Sequence, residues 1–303
     1  MNSIPRFDVV VVGVDGSDAS TAAVDWAAAE ADRRGSSLVV VTVVEMPRNT
    51  GSYLEVVADV PPSVMDEAQR LTTTDRARAA TVLPADRVST VVSDGSAAGH
   101  LIKASESAAL VVVGNKHRSA LGSLFAGSVS FPVAAHAHCP VVLIPEAIGD
   151  RSVKGAEGMR GVVVGVDGSH AGSQALEIAG EMAARAGEPL TIISAWDIPV
   201  TGAWTTSGWA DGGGDPTWRE ALHDDATAAG EQAASSIRDL HPQLVVSNQV
   251  VEAPAAHALV EAGQGATLVV LGSRGRGGFA SLVLGSVSHA VIHDCAAPVM
   301  IVR

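Results

Sequence analysis

A chain of 303 residues, 47% apolar and 17% charged, has material for ample core and length for about two domains, which excludes a disordered type. A net charge of −13 excludes a nucleic-acid binder, because phosphates would be repelled, and two cysteines exclude a disulfide framework and fit a reducing cytoplasm. MNSIPRFD lacks the pattern of a signal peptide and no apolar run approaches the ~20 residues of a membrane span, so the sequence predicts a soluble, acidic, cytoplasmic protein without membrane contact.

Strands and helices alternate from the start. Phe7 to Val14 reads as a strand buried on both faces, ending on Asp15-Gly16-Ser17. Alanine-rich Ala19 to Arg34 follows as a helix, with Ser17 or Asp18 placed to cap it and Gly35 to end it. The spacing then predicts strand Leu38–Val44, helix Ser63 to about Ala80, strand Val88–Val92, helix Ala97–Ala108, strand Leu110–Val113, helix Ser128–Ala137 and strand Pro140–Ile144. The second series runs strand Arg160–Val166, helix Ala171–Ala186, strand Leu190–Ala195, helix Thr217–Leu240, strand Leu244–Val251, helix Ala255–Ala262, strand Leu268–Leu271, helix Val287–Asp294 and strand Val299–Val302.

The two series are one unit used twice. Asp15-Gly16-Ser17 recurs at Asp167-Gly168-Ser169, an offset of 152 residues; Gly127-Ser128-Val129-Ser130 recurs at Gly285-Ser286-Val287-Ser288, an offset of 158. The added length falls most naturally in Thr201 to Pro216, whose Gly and polar content reads as loop. Domains are therefore expected at 1–148 and 160–303, joined by a linker at 149–159 where Gly, Ser and charge replace the apolar periodicity. Alternating strands and helices imply parallel βαβ units with right-handed crossovers, an α/β class with doubly wound sheets.

The most informative stretch is LVVLGSRGRGGFASLVLGSVS, Leu268 to Ser288. A buried strand runs into a glycine turn and then a helix mouth, where Ser286 is placed to cap the first turn and free N–H groups attract anions. It is not a P-loop, since no Gly-Lys follows, and it lacks the dinucleotide-binding G-x-G-x-x-G with its acidic ribose partner. What it shows is Gly272, two residues, Gly275, nine residues, then Gly285-Ser286.

That spacing resembles the nucleotide signature of the universal stress protein family in its ATP-binding branch, and the repeat extends the resemblance to the whole chain as a tandem, actinobacterial-type member. The resemblance implies a five-stranded parallel sheet of order 3-2-1-4-5 in each half, with helices on both faces and the first and fourth strands adjacent. It also implies ATP as ligand, with Mg²⁺ as a further option. The phosphate cradle would be Gly272, Ser273, Arg274, Gly275, Gly285, Ser286, Val287 and Ser288, matched in the first half by Gly114, Asn115, Lys116, His117, Gly127, Ser128, Val129 and Ser130. Asp15 and Asp167 would line the site and accept from ribose or base, or act through the metal. Their own sequence context supports equally an Asx-turn or helix cap. Gly13 and Gly165 would let the ligand approach, and Val43 and Ala195 would offer backbone groups to adenine. The resemblance also implies that the apolar last strands, PVVLIP and PVMIVR, pair the two halves as an internal pseudo-dimer, leaving room for a homodimer.

The first half departs from the signature at His117, which adds bulk where the second half has Gly275 and favours binding in the second half. His289 and His293 share a helix face at metal-ligand spacing, but Asp294 and Cys295 lie off that face, so no metal site is expected. His136 and His138 diverge, and Cys139 and Cys295 occupy non-matching repeat positions and read as structural. Trp204, Trp209 and Trp218 cluster around the inserted loop, as a contact surface or a cover. No catalytic set is marked. The expected function is an ATP-binding sensor or regulator in a stress response; a slow ATPase or phosphotransferase and a nucleotide-free interaction module are the alternatives.

Overall fold

The computed structural model describes residues 8–45, 60–115, 127–146, 161–198, 216–276 and 283–303. It divides into two units, Met1–Ser152 and Val153–Arg303. Among the described residues no helix is long and apolar enough to cross a membrane.

The first unit runs β1 (Val9–Val14), α1 (Asp18–Arg34), β2 (Ser37–Val44), α2 (Pro62–Ala79), β3 (Val88–Asp94), α3 (Ala97–Ala104), β4 (Leu110–Asn115), α4 (Ser130–His136) and β5 (Val141–Pro145). All pairings among these strands are parallel, in the order β3-β2-β1-β4-β5. After β3 the chain must cross back over β2 and β1 to add β4. With a fixed crossover hand, that reversal moves the helices to the other face. Accordingly α1 packs with α2 on one face, and α3 with α4 on the other.

The second unit repeats the plan: β6 (Val162–Gly165), α5 (His170–Ala186), β7 (Leu190–Trp196), α6 (Pro216–Leu240), β8 (Val246–Glu252), α7 (Ala255–Ala262), β9 (Leu268–Gly272), α8 (Ser286–Asp294) and β10 (Val299–Val302). Its strands are again parallel, in the order β8-β7-β6-β9-β10. The central strands bury both faces: Val10, Val12, Leu110, Val111 and Val112 are fully buried, as are Val164, Val269 and Val270. Buried alanines along α1 (Ala19, Ala23, Ala27, Ala31) and α5 (Ala175, Ala179, Ala183) let these helices lie close to the sheet.

Element ends follow local chemistry. Ser17 Oγ accepts from Ser20 N at 3.2 Å and Ser169 Oγ from Gly172 N at 3.1 Å, capping α1 and α5. Helix α3 stops at Ala104, short of the expected Ala108, in backbone-bonded turns through Ala108. Helix α4 begins at Ser130 rather than Ser128. The reason is Pro132. A helix begun at Ser128 would require the residue-132 N–H to bond the Ser128 carbonyl, and proline has no N–H. Begun at Ser130, the helix keeps Pro132 in its first turn, where no N–H is needed. The loop expected to hold the extra length lies outside the described residues, as do Trp204 and Trp209; Trp218 on α6 is 65% exposed.

Candidate functional site

The carboxyl ends of β1 and β4, and of β6 and β9, carry the motifs, at the point where strand order reverses. Asp15 Oδ1 accepts from Ser17 N at 3.0 Å and Ser17 Oγ at 2.6 Å, and Asp167 Oδ1 accepts from Ser169 N at 3.0 Å. Both aspartates thus close an Asx-turn, with Gly16 (φ 80°) and Gly168 (φ 75°) left-handed between them and the capping serine. Both also line a cavity. The structural and the functional reading of Asp-Gly-Ser are therefore compatible at the same residue.

Gly114 and Gly272 have a role that spacing did not signal. A Cβ on Gly114 would lie 2.8 Å from backbone atoms of Ala19 and Ser20, and one on Gly272 would lie 2.8 Å from the Ala171 backbone. These glycines seat the first turn of α1 or α5 on the neighbouring strand, so helix packing alone requires them. On the same floor, Gly13 and Gly165 face Leu101 and Leu259.

In the second unit a cavity of about 510 Å³ is lined by the expected Gly165, Asp167, Ala195, Gly272, Arg274, Gly275, Gly285, Ser286, Val287 and Ser288. Gly285, not Ser286, is the N-cap of α8, extended at φ −71°, ψ 156°, and no side chain caps the helix. The first-turn N–H groups therefore have no side-chain acceptor at the cavity wall, where a helix end favours an anion. The mouth is pinned from behind: Gly285 N donates to Ser273 O at 2.8 Å, and Ser288 Oγ to Gly272 O at 2.8 Å. Ser273 itself is buried and is not a lining residue. Ile193 O accepts from Val166 N at 3.0 Å, on the β6 side, and Trp196 O from Ala253 N at 3.0 Å, on the β8 side. Peptide groups alternate along a strand, so Ala195 turns toward β6 but beyond its last bond, at the cavity.

Arg276 completes this region and was not among the expected site residues. Its N–H donates to Asp167 Oδ2 at 2.9 Å, and its Nη1 lies 3.4 Å from Asp225 Oδ2 on α6. The guanidinium packs so closely on Gly168 that a Cβ there would overlap it, and a Cβ on Gly275 would overlap the Asp167 carboxylate. The Arg pattern was visible in the sequence, but Asp225 lies on a distant helix that only the fold brings near. Arg274 lines the cavity, and desolvation, with the Arg274 charge beside it, lowers the Arg303 guanidinium from its ordinary value.

In the first unit the cavity is about 140 Å³, lined by Gly13, Asp15, Val43, Gly114, Gly127, Ser128, Val129 and Ser130 among others. Gly127 is left-handed at φ 90°, and Val129 (φ −106°, ψ −50°) takes the N-cap position of α4. Asn115 is buried beneath, its Oδ1 accepting from Ser130 Oγ at 3.1 Å. Lys116 and His117 lie outside the described residues. Among the described residues no group of three or more metal-ligating side chains gathers; His293 Nδ1 sits 2.7 Å from Asp294 Oδ1. Burial pushes the Cys139 thiol up to about 12 and raises Cys295 as well, which suits structural residues.

Doubly wound sheets, duplicated motifs and an uncapped helix at a strand-end cavity define the class, and sequence comparison places the chain within it. The model of the universal stress protein family matches residues 6–145 and again 159–303. A universal stress protein of Mycobacterium tuberculosis is 34% identical, with 97% of this chain and 94% of the relative covered. Another, of Mycolicibacterium smegmatis, is 33% identical over 97% and 96%. The fold resembles that of a universal stress protein from Archaeoglobus fulgidus, with TM-score 0.62, 19% identity and 98% of each chain covered. The chain belongs to the universal stress protein family, and carries its domain twice.

Proposed function

We propose that this protein binds an adenine nucleotide, ATP first among them, and acts as a nucleotide-dependent sensor or regulator in a stress response, with the second-unit cavity as its principal site. The observation that carries this reading is the uncapped mouth of α8, opening beside Arg274 on a cavity of about 510 Å³. That volume falls in the range of roughly 300–1,000 Å³ of small-molecule sites. Phosphates would sit at Gly275 and Gly285-Ser286-Val287, and adenine against Ala195. Asp167 would accept from ribose, or hold Mg²⁺ through water. The domains would be 1–148 and 160–303, and the location the cytoplasm, where ATP is available.

Binding rather than turnover is proposed because the Asp167 carboxylate, the acidic group lining the cavity, already accepts from Ser169 N and Arg276 N. Those two bonds, one to each oxygen, fix its orientation and suit a positioning role. The test is direct: acid release and chromatography of nucleotide from purified protein, with thermal shift on adding MgATP. Bound nucleotide or a clear shift supports the reading. Neither, in fresh and in stripped protein, would leave an interaction module in its place, and ATP consumption far above background would make it an enzyme.

A further inference from the structure

Both halves contain Gly-Ser-Val-Ser, yet the tetrapeptide has two conformations. In the second half Gly285 is extended and α8 starts at Ser286, directly after it; in the first half Gly127 is left-handed and α4 starts at Ser130. The tetrapeptides are identical, so the cause lies outside them. Four residues beyond the serine that should open each helix stand Pro132 in the first half and Ala290 in the second. Ala290 permits the bond from its N–H to the Ser286 carbonyl; Pro132 forbids the matching bond to Ser128. The first half turns at residues 127–129 and keeps the helical bonds on either side of the missing one: Phe131 N donates to Gly127 O at 3.3 Å, longer than its counterpart His289 N to Gly285 O at 2.9 Å, and Val133 N to Val129 O at 3.1 Å. Ser128, which would stand first in the helix, is left in that turn, and the cavity beside it is about 140 Å³, below the roughly 300 Å³ of a small-molecule site.

We infer that Pro132 silences the first cradle, so that the protein holds one nucleotide per chain, in the second half. The first half keeps the fold, the Asp-Gly-Ser turn and the opening bond from Phe131 N to Gly127 O, but Gly127 is left-handed where Gly285 is extended and the Ser128 carbonyl has no helical N–H to meet, so the mouth at Gly127-Ser128 is reshaped away from the form that meets phosphates in the second half. This rests on the nucleotide reading above and adds to it the residue that decides which half binds.

The test is calorimetric titration of the full chain with MgATP, in the wild type and two reciprocal variants. Wild type should bind about one equivalent. Ala290→Pro, which imports the first half's proline, should weaken binding at least tenfold. Pro132→Ala should add a second, weaker equivalent that disappears again when Gly127→Glu is added. Should Ala290→Pro melt early, Pro132→Ala still decides. Two equivalents in wild type, or an Ala290→Pro protein that melts normally and binds as wild type does, or Pro132→Ala without a second equivalent, would overturn the role of Pro132. No binding by wild type or by any variant would overturn the nucleotide reading, and this inference with it.

Discussion

The two halves share a sheet order, a capped first helix and the same glycine under that helix, and they differ at the mouth that faces a ligand. What they share is dictated by packing: Gly114 and Gly272 meet α1 and α5 at the same 2.8 Å, and Ser17 and Ser169 cap in the same way. What they differ in is backbone conformation at one tetrapeptide, with φ of +90° at Gly127 against −71° at Gly285. A signature read as fixed glycines and a serine therefore specifies the fold around a site more firmly than the site. The site depends also on whether the next helical turn is allowed to form.

The largest effect expected from breaking this comparison is in Gly285→Glu. The position is extended and a Cβ there meets its nearest neighbour, Ser273 O, at an ordinary 3.4 Å, so the protein should fold. The new carboxylate would occupy the α8 mouth in place of a phosphate, and nucleotide affinity should fall by about 100-fold, or ~2.7 kcal/mol. Gly127→Glu should leave the bound equivalent untouched. The readout is MgATP titration with melting curves for both.

Gly114→Ala and Gly272→Ala probe instead what the halves have in common. Each Cβ would press on helix backbone, which cannot swing aside as a side-chain end can. Both variants should lose about 1–3 kcal/mol by denaturant unfolding, to a similar extent. A large loss in one half and none in the other would mean that the helices do not rest on these glycines equally.

Asp225→Asn is smaller and sharpens the second site alone. Asp225 and Arg276 form an exposed pair 3.4 Å apart, and an anion in the cavity would compete with Asp225 for that guanidinium. Exposed pairs contribute about 0.2–1 kcal/mol, so the variant should bind MgATP roughly 1.4-fold to fivefold more tightly. The gain should vanish in an Arg276→Gln background. A gain that persists there would be a general charge effect.

Much of this molecule was legible in its sequence. Valine runs, alanine-rich helices and the Asp-Gly-Ser turns fix local structure by short-range chemistry, and helix Ala255–Ala262 and strand Val299–Val302 fall on the expected bounds. Strand order was not legible from periodicity, because 3-2-1-4-5 and its rivals bury the same residues; it came with the family resemblance. The start of α4 was legible and was missed: Pro132 stood in the sequence, but a matching tetrapeptide suggested a matching helix. The contacts of Arg276 with Asp167 and Asp225 join residues from three elements, and no local pattern encodes such a meeting.

The smallest effect concerns the matching helices α2 and α6. Thr72 Oγ1 lies 2.6 Å from Thr42 Oγ1, while a Cβ on Gly230 would lie 2.7 Å from Ser194 Oγ, and Thr42 and Ser194 are repeat equivalents. Thr72 therefore corresponds to Gly230, and three residues on, buried Asp75 corresponds to buried Ala233. One half thus buries a carboxylate where the other buries a methyl group. Desolvation raises the Asp75 carboxyl above 3.8, Arg78 pulls it part of the way back, and Asp25 pushes it up again. With the folded value raised, the native state holds the proton more tightly than the unfolded chain. The protonated carboxyl's advantage is complete below pH 3.8 and is lost as pH rises through the raised value. Asp75→Ala removes that loss and copies the second half, so it should stabilise the protein near neutrality by about 1 kcal/mol or less. The gain over wild type should shrink as pH falls toward 3.8, which unfolding curves of both proteins at several pH values would follow. A variant that is destabilised at neutral pH would instead mean that the Arg78 attraction outweighs burial, so that the charged carboxylate holds the first half together.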